Sequence, residues 1–139
     1  MPSASSKPRI LLVEDFEDSR SVLKRLLEIE GFEVMEASDG RQAIETALRE
    51  ALDLILMDVS LPAMDGFQAT RQIRALEQGQ TPPIIVISAY DNHEIRAEAK
   101  AAGCTDYVTK PIDFDQLLKL IKKYTAQDDE RESQAASIE

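Results

Sequence analysis

The most informative segment of this chain is Leu54-Ile55-Leu56-Met57-Asp58-Val59-Ser60-Leu61-Pro62. Four large apolar residues run directly into an aspartate, and a loop containing serine and proline follows at once. A continuous apolar run of this length, bounded by turn residues, predicts a strand buried on both faces. Asp58 at the exit of that strand requires a partner, because an unpaired carboxylate in apolar surroundings is very costly.

Four further strands are predicted around this one, and helical segments separate them. The predicted strands cover residues 10–13, 32–37, 54–57, 84–87 and 106–109. Helical spacing and capping residues predict helices over about 18–30, after Asp39, from Gly66 to a stop at Gly79, over about 92–102 and after Asp113. Strict alternation predicts an α/β fold, a doubly wound five-stranded parallel sheet with helices on both faces. The common strand order for five strands is 2-1-3-4-5.

Length and charge limit the possible functions. A chain of 139 residues supports one domain, which we predict at 9–124 between a flexible lead (1–8) and an acidic, disordered tail (125–139). The net charge of −10 argues against binding to nucleic acid or to an anionic membrane. A single cysteine, Cys104, excludes an internal disulfide, and neither a signal peptide nor a membrane helix is predicted. We therefore expect a cytoplasmic protein.

Polar residues stand at the exits of four predicted strands. Glu14 and Asp15 follow the first, Asp58 the third, Ser88 the fourth and Lys110 the fifth. In the 2-1-3-4-5 order these ends lie on one edge of the sheet, where ligands bind. Carboxylates that meet there repel one another unless a cation relieves them, and all-oxygen ligation suits Mg²⁺. A lysine and a hydroxyl beside a metal and a carboxylate nucleophile are what an aspartyl phosphate requires.

The order of these motifs resembles the receiver domain of the two-component response-regulator family over residues 9–124. The matching segments are Val13-Glu14-Asp15, Met57-Asp58-Val59-Ser60-Leu61-Pro62, Met64-Asp65-Gly66, Ile87-Ser88-Ala89 and Tyr107-Val108-Thr109-Lys110-Pro111. Each segment alone is a weak signal, but the joint pattern in this order is highly specific. The resemblance implies a flavodoxin-like three-layer sandwich and a stand-alone response regulator.

The resemblance also implies a role for each residue at the strand ends. Asp58 would accept a phosphoryl group from a phosphohistidine on a sensor histidine kinase or a histidine phosphotransfer protein. Mg²⁺ would be held by Asp15, by Asp58 and by the backbone carbonyl of Val59, with Glu14 acting through a bound water.

The remaining roles concern the phosphoryl group and its readout. Lys110 would pair with one phosphoryl oxygen, and Ser88 would donate a hydrogen bond to another. Tyr107 would act as an aromatic switch that turns inward when Ser88 moves, and the Lys110–Pro111 peptide would be cis. The output would be a protein contact through the face made by the fourth helix, fifth strand and fifth helix, with the alanine-rich fourth helix offering a low-relief surface.

Several other functions can be compared with this one. An intermediate shuttle in a multistep phosphorelay is the main alternative. A phosphatase of the aspartyl-phosphate type needs a second acid two residues after the nucleophile, where this chain has Ser60. No glycine motif for nucleotides is present, and a degenerate scaffold is disfavoured because all key positions are filled. We expect no enzyme activity beyond self-phosphorylation and autodephosphorylation. Outside the site, His93 has no partner for a metal role, Cys104 packs, and Asp65 caps the third helix.

Overall fold

The structure, a computed structural model, describes residues 7–76 and 82–125. Strands and helices alternate along the chain. The strands are β1 (Arg9–Val13), β2 (Glu33–Ala37), β3 (Leu54–Asp58), β4 (Ile84–Ser88) and β5 (Asp106–Thr109). The helices are α1 (Glu17–Ile29), α2 (Gly40–Arg49), α3 (Gly66–Leu76), α4 (His93–Ala102) and α5 (Phe114–Thr125). The predicted stop at Gly79, most of the predicted lead and nearly all of the predicted tail lie outside the described residues.

All strand pairs are parallel, and the sheet order is β2-β1-β3-β4-β5, which confirms the predicted topology. The sheet has two apolar faces because neighbouring side chains of a strand point in opposite directions. Leu11 and Ile55 face a core formed with α2, α3 and α4, whereas Leu12 and Leu56 face a core formed with α1 and α5. The result is the three-layer sandwich that the sequence predicts.

The central strands are the most deeply buried part of the molecule. Every residue of β3 and β4 is buried, including Asp58 and Ser88 at their exits. The edge strands β2 and β5 are more accessible. Because the chain reverses its direction of winding between β1 and β3, the carboxyl ends of these two strands border an open crevice.

Local capping fixes where most helices begin and end. Asp39 caps α2 by accepting a hydrogen bond from the Gln42 amide, and Asp65 caps α3 in the same way through the Gln68 amide. Gly103 ends α4 with a φ of +100°, a left-handed conformation that glycine adopts without steric cost. These caps confirm the predicted helix starts and the role predicted for Asp65.

Helix α1 packs less completely than its apolar residues suggest, because most of them do not enter the core. Leu27 is buried, but Val22 is 61% exposed and Ile29 is 71% exposed. Val22 also borders a cavity of about 400 Å³ between α1 and α5. Helical spacing correctly predicts the helix, but the apolar residues occupy more of the helix surface than the sheet covers. No helix within the described ranges is long and apolar enough to cross a bilayer.

Candidate functional site

Three carboxylates meet at the carboxyl edge of the sheet. Glu14 and Asp15 follow β1, Asp58 ends β3, and the two strands are neighbours in register. One carboxylate oxygen from each residue lies within 4.8 Å of the others. Asp58 is only 2% exposed, whereas Asp15 is open to solvent. The structure therefore brings together the acids that the sequence places at separate strand ends.

Lys110 reaches this acidic pocket from the end of β5. Its Nζ lies 2.9 Å from Asp58 Oδ2 and 4.0 Å from Glu14 Oε1. The Lys110 amide donates a 2.7 Å hydrogen bond to the Ser88 carbonyl, which ties the end of β5 to the end of β4. The Lys110–Pro111 peptide is cis, as the resemblance implies. One ammonium group therefore faces a cluster of carboxylates.

The electrostatics of the pocket show an excess of negative charge. Burial raises the pKa of Glu14 to about 7, and the nearby Asp58 adds to this shift, while the hydrogen bond from the Phe16 amide opposes it. Burial on its own lowers the pKa of Lys110, but the surrounding carboxylates outweigh it and hold that pKa above its ordinary value. Hard oxygen donors at this spacing, one of them open to solvent, fit a small divalent cation that retains water ligands.

The loop after Asp58 is held by backbone hydrogen bonds. The Ser60 amide donates to Asp58 Oδ1 at 2.9 Å. The Val59 carbonyl accepts from the Gly66 amide at 2.9 Å and from the Leu61 amide at 3.1 Å. Two donors occupy the two lone pairs of that carbonyl, which leaves it poorly placed for the predicted role of metal ligand. The Ser60 carbonyl, in contrast, receives no hydrogen bond from the part of the chain that the structure describes.

Ser88 and Tyr107, the two predicted switch residues, lie on adjacent strands. Ser88 is buried, and its Oγ accepts a 3.0 Å hydrogen bond from the Tyr90 amide, so its proton is available to donate. The Tyr107 hydroxyl is buried and has no hydrogen-bond partner within residues 7–76 and 82–125. Its ring packs against the core under α4.

A contact that the sequence does not reveal covers Tyr107. The guanidinium of Arg96 lies 5.0 Å from the centroid of the Tyr107 ring, a cation–π geometry. Arg96 also pairs with Asp91 in the loop after β4. This link joins the loop that follows Ser88 to the aromatic side chain of β5.

The surface of α4, β5 and α5 differs in one respect from the expectation. Ala97 and Ala101 are exposed, but Ala99 and Ala102 are buried in the core. The sequence predicts that all four alanines of this helix, Ala97, Ala99, Ala101 and Ala102, contribute to a low-relief outer surface. The prediction is wrong for the buried pair, because positions three residues apart share the face that packs on the sheet.

Comparison with known proteins agrees with this geometry. A family model described as the response regulator receiver domain matches residues 10–122. Protein PilH of Pseudomonas aeruginosa is 36% identical over 118 residues, which cover 85% of this chain and 98% of PilH. The residues matched by the family model contain the acidic pocket and nearly all of the sheet and its helices.

Solved structures give the same result. The receiver domain of the sensor histidine kinase PA1611 from Pseudomonas aeruginosa is 37% identical, with a TM-score of 0.80, and the match covers 88% of this chain and 100% of that one. That structure has a magnesium ion coordinated in its active-site cleft. The chemotaxis protein CheY4 of Vibrio cholerae is 31% identical, with a TM-score of 0.81 and coverages of 86% and 99%.

Proposed function

This chain belongs to the response regulator receiver domain family, a family of signalling proteins, and we propose that Asp58 is its phosphoacceptor. Receiver domains interact with histidine kinases or phosphotransfer proteins, and we infer that a phosphohistidine on such a partner is the donor. The protein would catalyse only its own phosphorylation and autodephosphorylation, and it would act in the cytoplasm.

One observation carries the proposal: the pocket combines clustered carboxylates with a lysine aimed at the most buried of them. Asp58 Oδ2 accepts a 2.9 Å hydrogen bond from Lys110 Nζ, and Asp58 Oδ1 accepts a 2.9 Å hydrogen bond from the Ser60 amide. A structural ion pair would not require two further acids within 4.8 Å, because their repulsion disfavours the ionised cluster. A site for a cation and an incoming phosphoryl group explains all of these groups together.

Receiver domains bind Mg²⁺ in this acidic site, and the donors of this chain fit that ion. We propose that Asp15 and Asp58 are direct ligands and that Glu14 acts through a bound water. The hydrogen bonds on the Val59 carbonyl favour the neighbouring Ser60 carbonyl as the backbone ligand. When bound, the cation would neutralise charge on the phosphoryl oxygens and so permit attack by a carboxylate.

The proposed transfer is a displacement at phosphorus. A carboxylate oxygen of Asp58 forms a bond to phosphorus while the bond from phosphorus to the donor imidazole nitrogen breaks, and the imidazole leaves with the electron pair. Lys110 then exchanges its contact with Asp58 for one with a phosphoryl oxygen. Burial keeps the Asp58 carboxylate in one orientation, and such positioning is the main requirement of phosphoryl transfer.

We further propose that Ser88 and Tyr107 report the phosphorylated state. The Ser88 hydroxyl would move to donate a hydrogen bond to a phosphoryl oxygen. The loop that carries Tyr90 would move with it, because the Tyr90 amide donates a hydrogen bond to Ser88 Oγ. Tyr107 would respond on the adjacent strand. The resulting population shift would be read by an effector protein at the surface of α4, β5 and α5.

The test is incubation with acetyl phosphate and Mg²⁺, followed by intact-mass measurement. We expect the wild type to gain one phosphoryl group, and Asp58→Asn or prior addition of EDTA to prevent the gain. Asp53→Asn is the matched control, because Asp53 flanks the opposite end of the same strand and bonds to the Arg9 amide. Unmodified wild type, or a modified Asp58→Asn variant, would overturn the proposal.

A further inference from the structure

The side chain of Arg20 in α1 is hydrogen-bonded to the backbone of the acidic pocket. The Arg20 Nη1 donates a 2.9 Å hydrogen bond to the carbonyl oxygen of Glu14. The Nε of the same guanidinium donates a 2.9 Å hydrogen bond to Glu36 Oε1 on β2. The Arg20 side chain is only 17% exposed. One largely buried group therefore links the loop after β1 to the edge strand of the sheet.

Glu14 is consequently held on both sides. Its amide donates a 3.0 Å hydrogen bond to the Ala37 carbonyl, which extends the β1–β2 pairing by one residue. Its carbonyl is held by Arg20. Because a peptide unit is planar, a fixed Glu14 carbonyl also fixes the amide nitrogen and the Cα of Asp15. These bonds therefore fix the Glu14 backbone and the position of the Asp15 Cα, from which the two carboxylates extend.

We propose that Arg20 is a positioning residue for the divalent-cation site, which orients Glu14 and Asp15 without touching the ion. The inference rests on the proposed function, because it assumes that these carboxylates bind Mg²⁺. Arg20 suits the role because Nε and Nη1, two separate nitrogens of one rigid planar group, each reach a different acceptor, whereas the single ammonium nitrogen of a lysine does not reproduce this fixed geometry. The two hydrogen bonds of its guanidinium go to the Glu14 carbonyl and to Glu36, so Arg20 occupies none of the carboxylates of the pocket.

Lys24 provides a matched control on the same helix, one turn away. Its Nζ lies 3.8 Å from Glu36 Oε2 and 3.5 Å from Glu28 Oε2. It thus shares Glu36 with Arg20 but makes no contact with Glu14 in the described parts of the chain. Replacement of either side chain by a neutral one removes one of the two salt bridges to Glu36. Only replacement of Arg20 also releases the Glu14 carbonyl.

Positioning and simple electrostatics predict opposite signs for the effect on Mg²⁺ affinity. Loss of a positive charge near an acidic pocket should tighten cation binding, because it removes repulsion. Loss of an orienting bond should weaken cation binding, and groups that orient metal ligands typically contribute about 10-fold or more in affinity. The sign of the change therefore separates the two roles without any measurement of phosphorylation.

The experiment is isothermal titration with Mg²⁺ alone on the full chain, with thermal unfolding in EDTA measured in parallel. We expect Arg20→Met to weaken Mg²⁺ binding about 10-fold. Lys24→Met should leave the affinity unchanged or slightly tighter. Arg20→Lys, which keeps the charge but cannot make both hydrogen bonds, should also bind Mg²⁺ more weakly than the wild type. This variant is decisive if Arg20→Met does not fold.

Two outcomes separate this inference from the proposed function. If the wild type does not bind Mg²⁺, the cation site itself is wrong and the proposed function fails with it. If the wild type binds Mg²⁺ and both Arg20 variants, or the one that folds, bind it as tightly as Lys24→Met, only the positioning role of Arg20 is overturned.

Discussion

Replacement of Gly66 by alanine should damage both the fold and the chemistry of Asp58. Gly66 opens α3, and its amide donates to the Val59 carbonyl. A Cβ at this position would overlap the backbone oxygen of Asp58 and would lie 3.0 Å from its backbone carbon. Gly66 has no positive φ in this structure, so its requirement for glycine is steric.

The size of the effect follows from what would have to move. Ordinary contact begins at 3.4 Å, so the start of α3 or the end of β3 must shift by about 1 Å. The clash is with backbone, which cannot rotate away, and overpacking of this kind costs about 1–3 kcal/mol. Because the shift falls on the proposed phosphoacceptor, we expect phosphorylation to slow about 100-fold, the effect that a 1 Å misplacement can have.

The assay combines urea unfolding with the rate of phosphorylation by acetyl phosphate. Gly31→Ala is the matched control, because nothing lies within 4 Å of its Cβ position and its φ of +100° makes the substitution strained. The free energy of unfolding of this control should fall by about 1–2 kcal/mol, and its phosphorylation rate should equal that of the wild type. If Gly66→Ala is phosphorylated as fast as Gly31→Ala, the close approach of α3 does not position Asp58.

Three further predictions follow from the site and its loop. Glu14 has a pKa of about 7 when folded, against 4.5 as its ordinary value, so its stabilising contribution is complete below pH 4.5 and is lost as the pH rises through about 7. Because Glu14 is partly screened by solvent, we expect the free energy of unfolding to fall by only about 1–2 kcal/mol. Urea unfolding in EDTA at several pH values should show this decrease in the wild type but not in Glu14→Gln. Lys110→Met should destabilise the protein by about 1–3 kcal/mol in EDTA, because it leaves buried Asp58 without its cation, and saturating Mg²⁺ should recover most of that loss. An equal loss with and without Mg²⁺ would show that charge compensation is not the function of Lys110. Ala63 has a φ of 67°, and Ala63→Gly should stabilise the protein by about 0.5 kcal/mol, since the relief of strain exceeds the entropy gained by the unfolded chain. A lower melting temperature for this variant would contradict the assignment of strain.

The site contains residues that no sequence pattern indicated. Arg20 and Arg96 look like ordinary charges on exposed helix faces, and nothing in their spacing distinguishes them from Lys24 or Lys100. Their partners are a backbone carbonyl and an aromatic ring. Backbone atoms carry no residue identity, so contacts to them leave no signal in the sequence. The Val59 carbonyl is a similar case, because both of its hydrogen-bond donors, the Gly66 and Leu61 amides, are backbone groups that leave no signal in the sequence.

The amino-acid sequence alone is enough to predict the alternation of strands and helices, the parallel sheet and the residue types at the strand exits. These features depend on local periodicity and on turn residues, both of which are readable within a few positions of the chain. Three contacts or exposures follow only from the packing of the folded chain: Lys110 lies 2.9 Å from Asp58 across 52 positions, the Gly66 amide donates to the Val59 carbonyl, and Val22 and Ile29 of α1 stay outside the core. Such contacts depend on how separate elements pack against one another. Packing is fixed by the shape of the whole core, which no local pattern specifies.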